Sequence, residues 1–189
     1  MTQPLPAGLL DPDGDLYVFG YGSLIWKPGF AYAARHPALL RGFHRRFCLW
    51  SREYRGTPDC PGLVLGLDRG GACRGVAFRV PASAAPEVLA YLDAREMISD
   101  HYQRRRLPVR LLDQGVVRQA VTFVANRQGQ AYCREMTPEQ AAAAIALGRG
   151  RMGPNREYLL NTVTHLRRLG VHDAALNRIA ALLPAGPTD

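Results

Sequence analysis

Lysine is almost missing from this chain: Lys27 stands alone against 23 arginines in 189 residues. Cysteine is sparse. Cys48, Cys60, Cys73 and Cys133 lie 12, 13 and 60 residues apart, which gives neither a CxxC pair nor the Cys/His spacing of a zinc site, so four reduced thiols are expected. The histidines lack metal-ligand spacing as well. No apolar run approaches the length needed to cross a bilayer, so no membrane partner is expected. The N-terminal stretch MTQPLPAGLLDPDGD has no basic residue and no long apolar core. Export is therefore not expected, and the cytoplasm is the expected compartment. A phosphate loop is excluded too, because no Gly-Lys-Ser/Thr occurs.

What is present is an ordinary globular composition, 47% hydrophobic and 21% charged, with a net charge of +8. A chain of this length can bury one sizeable core. The positive field attracts acidic small molecules and, non-specifically, nucleic acid. Arg104, Arg105 and Arg106 form the densest basic run and Arg45 with Arg46 a shorter one. Runs this short, without a recognisable reading motif, predict no specific nucleic-acid partner.

Apolar, β-rich segments occur at Leu16 to Gly20, Arg46 to Trp50, Gly62 to Leu67, Arg74 to Val80, near Leu107 to Leu112 and at Val116 to Ala125. Pro86 opens a helix over APEVLAYLDARE, with Val88, Leu89 and Leu92 on one face and Glu96 at its end. Thr137, Pro138 and Gln140 start an Ala-rich helix that Gly148 ends. Pro154 starts another, whose Leu159, Val163 and Leu166 share a face, and a short helix covers roughly His172 to Leu183. Strands interrupted and followed by helices predict an α+β domain around a small, mixed, barrel-like sheet. Residues 15–183 are expected to form that domain, after a flexible arm at 1–14 and before a disordered tail at 184–189.

The stretch LYVFGYGSLIW begins as a buried strand and breaks at Gly20, Tyr21, Gly22 and Ser23. Gly20 and Gly22 permit positive φ and close approach of a ligand, so that several N–H groups can converge on one anion, with Ser23 adding a hydroxyl. Glycine is also the default turn residue, so a plain turn and an anion cradle both stay open. The stretch starts GxGxxG but has Ile25 at the last position, and it is not GxSxG. Ser23 is therefore expected to be a donor and not a nucleophile.

Four blocks in order, FGYGSLIW, RRFCLWSREYRGTPDCPGLVLGL, YLDARE and GPNREYL, resemble the ChaC family of γ-glutamylcyclotransferases, which act on glutathione. The resemblance implies a small mixed β-barrel with surrounding helices, a small-molecule γ-glutamyl substrate, no metal and no organic cofactor. It implies that Gly20, Tyr21, Gly22, Ser23 and Leu24 hold the γ-glutamyl moiety through backbone amides and the Ser23 hydroxyl. Glu96 matches the family's catalytic glutamate, Tyr158 a tyrosine lining the substrate pocket, and Arg55 a recurrent arginine. Many members continue from Arg-Glu into Gly-Gly-Tyr, whereas this chain has Met97, Ile98, Ser99, Asp100, His101 and Tyr102.

The residues by themselves keep other readings open. Glu96 at a helix end can simply cap or pair with Arg95 or Arg104, and Tyr158 on an apolar helix face can be core. A helix C-terminus favours the protonated form of Glu96, while Arg95 opposes it. A cyclotransferase for another γ-glutamyl amine or dipeptide, and a non-catalytic binding module for an acidic ligand, are the alternatives to an enzyme acting on glutathione.

Overall fold

Strand β1 (Leu16–Gly20) is buried at all five positions, as a strand covered on both faces must be. In this computed structural model, which describes residues 8–97 and 99–185, β1 lies between two partners. It runs antiparallel to β3 (Gly62–Val80), from Leu16↔Val80 to Gly20↔Val76, and parallel to β5 (Val117–Ala125), through Tyr17↔Ala120 and Val18↔Val121. With β2 (Ala34–Ser51) and β4 (Tyr102–Leu111) the strands close in the order β1-β3-β2-β4-β5. The sheet is a closed, mixed barrel, as the sequence pattern predicts, and helices α1 to α4 complete the α+β fold. Residues 1–7 of the expected arm, 186–189 of the expected tail and Ile98 lie outside the described residues.

The chain divides into two compact units. The first takes the residues up to Arg45 and Leu67–Asn126; the second takes Arg46–Gly66 and the residues from Arg127 on. In the first unit α1 (Ala85–Glu96) has Pro86 in its first turn and buries Val88, Leu89 and Leu92. It stops at Glu96, where the Met97 amide bonds back to the Asp93 carbonyl at 2.9 Å. Asp11 is buried and accepts from the Gln119 amide at 2.6 Å and from Arg118 at 3.1 Å, which ties the chain before β1 to β5.

In the second unit α2 (Pro138–Leu147) begins with the capping box that its sequence predicts: the Gln140 amide donates to Thr137 Oγ1 and the Thr137 amide to Gln140 Oε1. Helix α3 (Asn155–Arg168) buries Leu159, Val163 and Leu166, and α4 (Ala174–Ala181) is capped by Asp173. A two-residue pair, β6 (Arg149–Gly150) with β7 (Gly153–Pro154), precedes α3.

Three strands are longer than the sequence pattern suggests; β4 starts at Tyr102, before the expected Leu107. β2 starts at Ala34, twelve residues before the expected Arg46, and its buried His36, Ala38 and Leu40 alternate as strand residues do. Pro37 and Gly42 hide that periodicity; Gly42 sits at φ 83°, where a side chain is disfavoured. β3 fuses two expected strands through Gly70 and Gly71, at φ 98° and 67°.

Candidate active site

The end of β1 and the end of α1 meet in the first unit. After Gly20 the chain enters a single 3-10 turn, Ser23–Ile25, in which the Ile25 amide bonds to the Gly22 carbonyl at 2.9 Å. The amides of Gly22, Ser23 and Leu24 have no acceptor among the described residues, as expected of a first turn. Tyr21 points its ring inward, and its hydroxyl donates to the Phe123 carbonyl at 2.9 Å. Its own carbonyl accepts from Arg45, a buried arginine that also bonds the Arg74 carbonyl. The turn is thereby fixed to the barrel wall, and what it can offer a ligand is backbone and Ser23.

The glycines do this in a way the sequence does not show. Neither Gly20 nor Gly22 takes a positive φ. Gly20 is needed for space: a Cβ there would stand 3.0 Å from Leu24 Cβ and 3.3 Å from Phe78. The strained position is instead Gly29, at φ 77°, where a Cβ would fall 2.0 Å from the Tyr91 hydroxyl. The segment after the turn is thus pressed against α1.

Glu96 stands at the last position of α1 with its side chain 17% exposed. Burial raises its pKa above the ordinary carboxylate value, and the neighbouring Arg95 guanidinium, by charge and hydrogen bond, partly opposes the rise. Desolvation, and not the helix end, is the leading cause. Arg95 Nε lies 3.0 Å from Glu96 Oε1, its Nη2 donates to Ser23 Oγ at 2.9 Å, and its Nη1 donates to the Lys27 and Pro28 carbonyls at 2.7 and 3.1 Å. The structure therefore brings Glu96 and the Gly20–Leu24 loop together through one side chain. Arg104, the other candidate partner of Glu96, pairs with Asp93 instead.

Arg55 and Tyr158 come together in the second unit. The Arg55 guanidinium lies over the Tyr158 ring at 5.2 Å, and its Nη1 donates to the Met152 carbonyl at 2.6 Å and the Pro154 carbonyl at 3.2 Å. Burial lowers the Arg55 pKa, and Tyr158 and Glu157 oppose that shift. Tyr158 is 7% exposed and meets Phe47 edge-to-face at 6.0 Å. Nearby, buried Asn155 clasps the backbone of one β3 residue: the Leu63 amide donates to its Oδ1 at 2.6 Å and its Nδ2 donates to the Leu63 carbonyl at 2.8 Å.

Sequence reading misses the part played by Arg95 and Tyr91. An arginine beside a glutamate reads as a local ion pair, and nothing in YLDARE says that the guanidinium also reaches Ser23, 72 positions away. The available signal is weak: Tyr91 and Arg95 are four apart on one helix face, the spacing at which side chains meet, and their 3.0 Å bond follows from it.

The chain matches the model of the ChaC-like protein family over residues 16–185. It is 35% identical to the glutathione-specific γ-glutamylcyclotransferase of Escherichia coli (strain K12) over 168 residues, covering 87% of this chain and 71% of that protein. It is also 35% identical to glutathione-specific γ-glutamylcyclotransferase 1 of Mus musculus over 186 residues, covering 91% of this chain and 82% of the relative. A crystal structure of the yeast γ-glutamyl cyclotransferase specific to glutathione superposes with a TM-score of 0.80 at 25% identity, over 89% of this chain and 97% of that one. With the barrel, the order of the motifs and a family match over nearly the whole described chain in agreement, this protein belongs to the ChaC-like family.

Proposed function

We propose that this chain is a glutathione-specific γ-glutamylcyclotransferase that releases 5-oxoproline and Cys-Gly, with Glu96 as its general base and acid. The observation that carries the reading is the placement of a largely desolvated carboxylate, 17% exposed and with its pKa raised by burial, against a Ser-containing turn, through Arg95. The names of the relatives support the substrate.

The chemistry needs few protein groups. The substrate's own α-amine attacks its γ-carbonyl carbon, a C–N bond forms in a five-membered lactam, and the C–N bond to cysteine breaks; no water is consumed. The nucleophile is tethered, so holding the chain folded back can remove ~7 kcal/mol or more of the barrier. Glu96, ionised, takes the proton that the α-ammonium must lose and returns it to the departing nitrogen, a contribution on the order of a hundredfold or more. A carboxylate with raised pKa is a stronger base and retains the proton long enough to donate it. The carbonyl oxygen becomes negative in the tetrahedral intermediate. The amides of Gly22, Ser23 and Leu24 and the Ser23 hydroxyl are assigned to that charge and to the substrate's α-carboxylate, each oxyanion donor contributing ~3 kcal/mol. Gly20 gives the turn its room, Tyr21 anchors it, and Arg55 and Tyr158 are assigned to substrate binding. The reading goes with a cytoplasmic setting, where the four cysteines, all free thiols, remain reduced.

The ionised carboxylate is the base, so kcat/KM falls on the acid side as Glu96 takes up a proton. Because burial raises its pKa, the midpoint of that limb is expected above the usual carboxylate range. The test is 5-oxoproline release from reduced glutathione by the purified protein without added metal. A second reading rests on residues 97–102, which differ from the family's usual Gly-Gly-Tyr and where Ser99 hydrogen-bonds His101: the leaving group is another amine. A panel of γ-glutamyl amines and dipeptides compared by kcat/KM separates the two. Silence across the panel, with tight binding of one member, marks a binding module.

A further inference from the structure

We infer that Arg95 is the positioning residue of this site, holding the Glu96 carboxylate and the Ser23 hydroxyl in one fixed arrangement and leaving the Ser23 hydrogen to be donated to the substrate. The inference deepens the proposed function and rests on it for the identity of the reaction.

A guanidinium carries five N–H donors in a rigid plane and no acceptor. In Arg95 each nitrogen has a partner. Nε faces Glu96 Oε1 at 3.0 Å, Nη2 faces Ser23 Oγ at 2.9 Å, and Nη1 is shared among the Lys27 carbonyl, the Pro28 carbonyl and the Tyr91 hydroxyl. These contacts join three pieces of chain: the 3-10 turn, the segment following it, and the last turn of α1. Since the fork is planar, fixing two of its nitrogens fixes the third. The carboxylate oxygen and the serine oxygen therefore cannot drift independently.

Two chemical consequences follow. Ser23 Oγ accepts from Arg95, so its own hydrogen points away from the guanidinium and is available to an oxyanion. Glu96 is engaged through Oε1 only, and Oε2 has no partner among the described residues, which leaves one oxygen for proton transfer. Tyr91 and Gly29 brace the arrangement from behind: any side chain at Gly29 would displace the Tyr91 hydroxyl that Arg95 also contacts. Among the charged and titratable groups, Arg95 faces Glu96 directly, Tyr91 and the Lys27 carbonyl meet Arg95, and Arg104 of β4 pairs with Asp93. Of these, Arg95 is the one that opposes the rise in the Glu96 pKa.

Arg95→Met and Arg95→Lys separate geometry from charge. In Arg95→Met, kcat with glutathione is expected to fall on the order of a hundredfold, the scale of a small misplacement of a reacting group, with a smaller change in KM, and the acid limb of the pH profile moves to higher pH. In Arg95→Lys the limb stays close to its wild-type position, but kcat is not restored, because one ammonium cannot reach Ser23, Glu96 and two carbonyls together. A ¹³C titration of the Glu96 carboxyl in the substrate-free proteins reads the same coupling without turnover. A folded Arg95→Met protein with wild-type kcat and an unmoved Glu96 midpoint overturns the inference. If Arg95→Met does not fold, wild-type kcat in Arg95→Lys overturns it. If the wild type releases no 5-oxoproline from glutathione, the substrate reading fails, and the Glu96 titration still decides the role of Arg95: a higher midpoint in the variant supports it and an unmoved one overturns it.

Discussion

Arg95 in the first unit and Arg55 in the second both hide part of a guanidinium and both reach residues far away in sequence, yet they hold different things. Arg95 donates to a carboxylate and a hydroxyl as well as to two carbonyls. Arg55 donates to the carbonyls of Met152 and Pro154 and lies over the ring of Tyr158. Asn155 follows the pattern of the second unit, since both its bonds go to the Leu63 backbone. Arg95 thus reaches atoms that can carry a proton, whereas Arg55 and Asn155 bond to backbone. Substitutions at Arg95 and Glu96 should therefore act on proton transfer, and those at Asn155 on stability.

Glu96→Gln should have the largest effect. A loss of at least a hundredfold in kcat, about 3 kcal/mol in the barrier, is expected with no fall in Tm. The sign comes from linkage: the folded-state pKa of Glu96 is raised, so the folded protein binds this proton more tightly than the unfolded chain does. Ionised Glu96 therefore costs stability as pH rises toward and through its folded pKa, and that cost disappears when a neutral amide replaces it. A drop in Tm comparable to the drop in kcat breaks the comparison, because it makes Glu96 a structural group.

Asn155→Ala should do the opposite. Leaving the amide and carbonyl of buried Leu63 unpaired is expected to cost about 3 kcal/mol of stability, read by denaturant melts, while kcat per folded molecule is retained. Next in size, Arg55→Lys loses the stacking over Tyr158 and should lower kcat/KM by about 1.5 kcal/mol, through KM more than kcat; a pure kcat effect would erase the contrast with Arg95. The smallest change is Thr137→Ala, which removes the capping box of α2 and is expected to cost about 1 kcal/mol of stability with activity unaltered.

Much of this arrangement is legible in the residues because local rules and tertiary packing agree there. The five apolar residues of β1, the Pro86 start and Glu96 end of α1, and the Thr137/Gln140 box each stand where their sequence places them. Where packing overrides local signals, the pattern misleads. Pro37 and Gly42 read as breakers, yet they lie within β2, and Gly70 and Gly71 lie within β3. In the site, Gly20 and Gly22 suggest left-handed backbone, but the positive φ falls on Gly29, whose necessity is visible only once Tyr91 is against it. In the sequence the helix end and Arg95 push the Glu96 pKa in opposite directions; what raises it is burial, a property of the assembled fold.

In the proposed mechanism Glu96 moves the proton in cyclisation of glutathione. The most direct test is 5-oxoproline release from reduced glutathione by the wild type and Glu96→Gln side by side, at matched folded concentration. Steady release by the wild type is expected, and at least a hundredfold less by a variant whose Tm is not lowered; equal rates from the two proteins would contradict this role of Glu96.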